Sequence, residues 1–276
     1  MTQGRPSISD KRRIFRQLHE SGCFIIPNPW DVGSACYLQS LGFKALATTS
    51  SGLAWSQGRQ DNALPRERVL AHLEQLVAAT DVPVNADFES GFGVDAAGVA
   101  ESVRLAVATG VAGLSIEDST GQEDAPLFGL TDAVARIRAA RRAIDSGGGD
   151  TLLVARAECF LVGRPDLDET IARLQAYAGA GADCLYAPGL RTVEQIRRLV
   201  ESVAPKPVNL LVASPGLMTL PKIAELGVRR VSVGGALARA AWGGFMRAAR
   251  LLADHGSFEG LEGPSHGDLD ALFRAG

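Results

Sequence analysis

Lysine is almost missing from this chain. Of its 28 basic residues only Lys11, Lys44, Lys206 and Lys222 are lysine; the other 24 are arginine. Histidine is as scarce, with His19, His72, His255 and His266. Chemistry that needs an amine or an imidazole must therefore use one of these eight side chains. Lys44 and Lys206 fall at the starts of β-rich runs, and Lys11 and Lys222 fall in helical runs. No strand interior offers a lysine for a Schiff base. The histidines fall in helical or tail segments, which leaves a His-ligated zinc site or a Ser–His–Asp triad without candidates. Cysteine is sparse too. Cys23, Cys36, Cys159 and Cys184 are too far apart for a CxxC metal site, and a chain of this length needs no disulfide staples.

A basic excess is also lacking. Asp+Glu total 31 against 28 Lys+Arg, a net charge of −3, which argues against a nucleic-acid partner. No segment reaches the roughly 20 apolar residues of a membrane span. The opening residues MTQGRPSISDKRRIF are polar and basic, without the apolar stretch of a secretory leader. The expectation is a cytoplasmic protein with free thiols. What remains is ordinary globular composition, 46% hydrophobic and 21% charged, which excludes intrinsic disorder.

Short β-rich runs alternate with longer amphipathic ones along the whole chain. The predicted strands are Cys23–Pro27, Ala45–Thr49, Val82–Asp87, Gly113–Glu117, Leu152–Arg156, Cys184–Ala187, Pro207–Val212 and Arg230–Val233. They are near-continuous apolar runs, as parallel strands covered on both faces require. The predicted helices between them are Val32–Leu41, Pro65–Ala79, Asp95–Thr109, Thr131–Asp145, Leu167–Gly179, Thr192–Val203, Met218–Leu226 and Ala236–His255. Gly42, Gly110, Gly181 and Gly227 each stand just past a helix, where a left-handed cap is wanted. Eight strand–helix units predict a single-domain (β/α)8 TIM barrel over residues 1–276, with Val84, Ile116 and Val154 as layers of its interior. An open doubly wound sheet is the competing reading, but PNPWDVGSA stands where a dinucleotide fingerprint would follow the first strand. An extra helix, Ser9–Glu20, is placed to plug the barrel base. A helical tail, Leu269–Ala275, suits packing on a partner subunit.

Active sites of this fold lie at the C-terminal ends of the strands. Those ends deliver Asn28, Trp30 and Asp31; Thr48 to Gly52, with a loop running to Asp61; Asp87 and Glu89; Glu117 and Asp118; Arg156 and Glu158; Tyr186; Asn209 and Ser214; and Gly234–Gly235. Seven carboxylates and one strand-borne arginine share this rim. So many acids together are costly unless a cation compensates, and an all-oxygen set suits Mg2+ or Mn2+. Helix caps and rim salt bridges are the alternative use of the same acids. Thr49, Ser50, Ser51 and Gly52 offer hydroxyls and backbone N–H groups suited to an enolate or carboxylate oxygen. The Arg156 fork suits two-point contact with a carboxylate.

Together these segments resemble the isocitrate lyase/phosphoenolpyruvate mutase superfamily. The resemblance rests on ALATTSSGLAWSQGRQD, PVNADFESGFG, GLSIED, VARAECF and YAGAGADCLYAPG, and spans roughly residues 10 to 240. It implies a helix-swapped (β/α)8 barrel forming homodimers or homotetramers, and a site that binds Mg2+ with a small 2-oxo acid or its enolate. It implies Asp87 as direct metal ligand, with Asp61, Glu89 and Glu117 holding metal waters. Arg156 and Thr49–Ser51 would grip the substrate and Glu158 would support Arg156. Trp30, Gly52 and Asn209 complete the candidate substrate contacts.

One segment departs from the pattern. Lyases of this superfamily carry a Lys-Lys/Arg-Cys-Gly-His loop after strand four, whose cysteine is the general acid, and the mutases carry Lys and Asn there. Here Ser119 to Pro126 (STGQEDAP) has none of these. The expectation is a C–C lyase or decarboxylase working through an enolate, with Arg156, Glu117, Asp61 and Glu123 as candidate catalytic groups. The alternatives are a hydrolase of a C–C or C–P bond, using Asp61 or Glu123 to activate water, and a 2-oxo-acid-binding protein with little turnover.

Overall fold

A computed structural model describes residues 4–216 and 218–274. Its strands are β1 (Phe24–Ile26), β2 (Leu46–Ala47), β3 (Val84–Asp87), β4 (Gly113–Glu117), β5 (Leu152–Arg156), β6 (Cys184–Tyr186), β7 (Val208–Leu211) and β8 (Arg230–Ser232). The helices are α1 (Ile8–Leu18), α2 (Val32–Ser40), α3 (Ser50–Ser56), α4 (Arg66–Ala79), α5 (Ala96–Ala108), α6 (Leu130–Ser146), α7 (Leu167–Gly179), α8 (Val193–Val203), α9 (Leu220–Ala224), α10 (Ala236–His255) and α11 (His266–Phe273). All strand pairings are parallel, in the order β1-β8-β7-β6-β5-β4-β3-β2. The Ala47 N–H donates to the Pro27 carbonyl at 3.0 Å and closes the ring between β2 and the end of β1. This is the expected (β/α)8 barrel, with strand ends trimmed by a residue or two.

The interior differs from the expectation. Val84 and Ile116 pack outward, with Leu114, against Val99, Val103 and Ile137 of the surrounding helices; Val154 alone of the three faces in. Strand residues alternate between faces, so Val84 outside puts Asn85 and Asp87 inside, and Ile116 outside puts Ser115 and Glu117 inside. The lower interior is filled from below. Phe15 of α1 is fully buried with Ile26, Ala45, Ala112, Leu152 and Val154. A Cβ at Gly113 would lie 2.6 Å from the Phe15 ring, so glycine there makes room for the plug. Burying such a ring contributes roughly 1.5–3 kcal/mol. Lys11 fastens the plug by donating to the Val77 and Thr80 carbonyls, and Arg12 by donating to Val111 at 3.1 Å and Val107 at 2.8 Å.

The C-terminal elements remain uncovered. Only Ala238 of α10 is buried, while Trp242, Phe245 and Met246 are exposed. The tail helix α11 starts earlier than predicted because Ser265 caps it by accepting from the Asp268 N–H at 3.1 Å. Ala275, the predicted last residue of that helix, lies outside the described residues.

Candidate active site

Register places the chemistry on neighbouring strands. Glu117 pairs with Arg156, Arg156 with Tyr186, Tyr186 with Asn209, and Asn209 with Arg230. Glu117, Arg156 and Tyr186 gather at the barrel mouth, and Asn209 and Arg230 lie deeper. Arg156, largely buried, is the centre. Its Nη1 donates to Asp87 Oδ1 at 2.7 Å, its Nε donates to Glu158 Oε1 at 2.9 Å, and its Nη2 stands 3.2 Å from Glu117 Oε2. Its guanidinium lies over the Tyr186 ring at 4.9 Å. In this structure the fork is therefore the counter-ion of three acids.

The stretch Thr49 to Gly52, expected to offer hydroxyls and N–H groups past a strand, is the cap and first turn of α3. Thr49 Oγ1 is 3.1 Å from Ser51 Oγ, and the Ser50 N–H donates to Asp87 Oδ2 at 3.0 Å. Thr48 fixes the other side of Asp87, its hydroxyl accepting from the Asp87 N–H at 2.8 Å. The helix was hidden from periodicity because its seven residues expose too short a pattern.

The β3 loop is held in an unusual shape. Glu89 has φ +48° and Phe92 φ +52°, left-handed values that side chains rarely adopt. Buried Arg136 of α6 compensates by donating to the carbonyls of Ser90 at 3.1 Å, Gly93 at 2.6 Å and Val94 at 3.3 Å. Its guanidinium also stacks on Phe128 at 4.1 Å. The Glu117 N–H donates to the Glu89 carbonyl at 2.9 Å, tying the β3 and β4 ends together.

Of the seven rim acids, two serve structure alone. Asp31 caps α2, accepting from the Ser34 N–H at 2.7 Å. Asp118 is buried and accepts from the Glu158 N–H at 2.8 Å, Arg173 at 3.1 Å and the Tyr177 hydroxyl at 2.6 Å. The remaining five, Asp61, Asp87, Glu89, Glu117 and Glu158, share Arg156 as their strand-borne cation. Burial, then the charges of Asp87 and Asp61, push Glu89 up to about 8. Burial raises Asp61 and raises Glu117 well above the usual carboxylate range, with neighbouring acids adding to both. Burial also raises Glu158, against the pull of Arg156.

A site this rich in negative charge and short of cations fits a hard divalent ion bound by oxygen. Among the described residues no three His, Cys, Asp or Glu side chains converge tightly enough to enclose an ion.

A cavity of about 170 Å³ opens at the mouth. Thr49, Ser50, Ser51, Asp61, Asp87 and Arg156 line it, as do Tyr186 and, deeper, Arg230 and Ser232. Of the predicted site residues, Gly52, Glu89, Glu117 and Glu158 stand outside its lining, as do Trp30, Asn209 and Glu123. Trp30 packs against Gly52, where a Cβ would meet its side chain at 2.9 Å, and faces a separate surface hollow. Asn209 lies beneath the floor, accepting from Arg230 Nε at 2.8 Å and donating to Ser232 Oγ at 2.9 Å. Glu123 is exposed on a short closed loop, whose base is the Ser119–Leu127 bridge. Arg230 and Ser232 were missed by sequence reasoning. Their signal was polar residues two apart in an apolar strand, as in Asn85/Asp87 and Ser115/Glu117, marking a polar inner face.

Comparison with known proteins gives a consistent picture. The phosphoenolpyruvate phosphomutase family model matches residues 15–253. Among solved structures, a Burkholderia cenocepacia J2315 protein of the lyase/mutase type is 47% identical, with a TM-score of 0.93, covering 96% of this chain and 97% of that one. Oxaloacetate acetylhydrolase in complex with its product oxalate is 26% identical, TM-score 0.85, covering 96% and 94%. Oxaloacetate decarboxylase of Pseudomonas entomophila (strain L48) is 29% identical over 236 residues, 82% of this chain and 79% of the relative.

Proposed function

The chain belongs to the phosphoenolpyruvate phosphomutase family, and on that premise we propose that it is a Mg2+- or Mn2+-dependent enzyme cleaving a C–C bond beside a small 2-oxo acid through an enolate. Decarboxylation of an oxaloacetate-like dicarboxylate is the favoured reaction. One observation carries the reading: Arg156 and Asp87 face a small cavity beside raised acids, while the loop after β4 holds no cysteine, lysine or histidine. Decarboxylation needs no acid before the bond breaks, so it tolerates that loop best. The likeness to oxaloacetate decarboxylase over most of the chain supports the same reaction.

Asp87 is the proposed direct metal ligand, with Asp61, Glu89 and Glu117 positioning its waters. A divalent ion held there would supply positive charge to stabilise the developing enolate. The protein does the rest. Arg156 would present its N–H groups to the substrate carboxylate. Glu158, locked by its backbone bond to Asp118, keeps the guanidinium plane fixed. The hydroxyls of Thr49, Ser50 and Ser51 line the wall beside the reacting carbons.

The likeness to oxaloacetate acetylhydrolase favours a second reading, hydrolytic C–C cleavage with Asp61 activating water. Incubation with oxaloacetate and Mg2+ separates the two. Pyruvate and CO2 are expected; acetate with oxalate would favour hydrolysis, and binding without turnover a binding protein. The exposed aromatic face of α10 and the α11 tail support a homodimer or homotetramer. Among the described residues no helix is long and apolar enough to cross a membrane, and a cytoplasmic location is part of the same reading.

A further inference from the structure

An enolate must receive a proton on carbon, and the usual acid loop is replaced here. The titratable groups lining the cavity are Asp61, Asp87, Arg156, Tyr186 and Arg230. Neither arginine releases a proton. Asp87 is paired with Arg156, and Asp61 stands on the same side as Asp87. Tyr186 remains, on the strand next to Arg156 and beneath its guanidinium.

Its surroundings give the phenol a direction. Arg230 is 2% exposed, and every hydrogen bond it makes goes to a neutral acceptor. His19 Nδ1 contacts the Phe15 carbonyl at 2.8 Å, so that nitrogen carries the proton and Nε2 accepts from Arg230. Burial holds His19 down to about 3, which keeps it neutral. Arg230 can only donate. Asn209 must therefore turn its oxygen to Arg230 and its amide N–H to Ser232, as the 2.8 Å and 2.9 Å contacts have it. The Ser232 oxygen is thus occupied as an acceptor, and its own proton is free to turn into the cavity that Ser232 and Tyr186 both line. Tyr186 lines that cavity with its ring under Arg156, and its O–H is available to a ligand there. The sense of this chain cannot reverse, because it starts at a guanidinium.

We infer that Tyr186 is the proton donor to the enolate carbon, and that Arg230, Asn209 and Ser232 are positioning residues that aim it. The inference rests on the enolate reading above. Heterolysis of the substrate C–C bond leaves the electron pair on the enolate. The phenol O–H then breaks as the new C–H bond forms, and the tyrosinate recovers a proton from solvent water. One proton is consumed per CO2 released. Burial pushes the phenol up to about 12, so it stays protonated through the neutral range. The Ser232 donor and the Arg156 charge offset part of that cost in the tyrosinate.

Oxalate and pyruvate test this without turnover. In oxalate an oxygen stands where the enolate carbon would be, and it can accept from Tyr186; in pyruvate a methyl group stands there and cannot. With Mg2+ present, Tyr186→Phe is expected to weaken oxalate about tenfold by calorimetry and to leave pyruvate within about threefold. With oxaloacetate, Tyr186→Phe is expected to lower kcat by about 10²–10⁴ at a KM within threefold. Ser232→Ala is expected to lower kcat by about tenfold and shift the basic limb of the pH profile, since the phenol loses the partner that aims it. If wild type fails to turn over oxaloacetate, the decarboxylase reading falls, while the oxalate-to-pyruvate ratio still judges Tyr186. Unchanged oxalate affinity in Tyr186→Phe, unchanged kcat, or a wild type that binds neither acid overturns the inference.

Discussion

Replacing Arg156 by lysine keeps the charge and removes the geometry. The guanidinium serves Asp87 at 2.7 Å, Glu158 at 2.9 Å and Glu117 at 3.2 Å, in three directions from one plane. A lysine ammonium on an unbranched stem cannot serve all three. At least one charge-assisted hydrogen bond is lost, about 1.5–3 kcal/mol, and the abandoned carboxylate is left buried. Part of that cost is avoided by protonation, because Glu117 and Glu158 already sit above the usual carboxylate range. The variant should therefore lose about 2–4 kcal/mol of stability at pH 8, and less at pH 5, where protonation of the raised Glu117 and Glu158 relieves part of their need for the arginine. Pyruvate affinity should fall about ten- to a hundredfold, the equivalent of one hydrogen bond to a charged group. Urea unfolding at the two pH values, with calorimetry of pyruvate in Mg2+, measures both. A variant as stable as wild type at pH 8 and equally tight for pyruvate would refute the placement of Arg156 at the centre of the site.

The metal reading predicts that EDTA abolishes oxalate binding and Mg2+ or Mn2+ restores it, with Asp87→Asn behaving as the EDTA-treated protein does. Because the folded state raises Glu89 from 4.5 to about 8, it holds a proton that the unfolded chain has released. Metal-free protein should thus lose stability as pH rises from about 4.5 to 8, and saturating Mg2+ should flatten that slope in thermal melts at pH 5, 6.5 and 8. His72 runs the other way: burial lowers it from 6.5 to about 4, so its contribution is intact above pH 6.5 and is lost as pH falls toward 4, a loss His72→Gln should remove. Glu123→Gln should leave kcat within about twofold, since that side chain is exposed and lines no part of the cavity; a loss of a hundredfold would return it to the chemistry. Light scattering should give a mass of at least twice the 29.0 kDa of one chain, and Phe245→Glu on the exposed face of α10 should reduce it.

Fold class and most of the rim were legible in the sequence, because both rest on local signals. Apolar strand runs, capping glycines and the 3.6-residue helical stripes are set by backbone sterics and burial over a few residues, and they recur eight times. A strand end is where a barrel presents side chains, so Asp87, Glu117 and Arg156 could be named from position alone. The division of labour among them was not local. Asp118 and Glu117 are adjacent in sequence and face opposite ways, one locked to Arg173 and Tyr177, the other aimed at Arg156. Inward and outward faces of β3 and β4 were exchanged for the same reason: apolar residues there cover the helices, and the barrel interior is polar. Asn209 and Arg230 are 21 residues apart, and only the β7–β8 register brings them into contact. Charge balance, the direction of a hydrogen-bond chain and the burial that shifts a carboxylate are sums over neighbours from different strands, which is why the tertiary structure alone decided them.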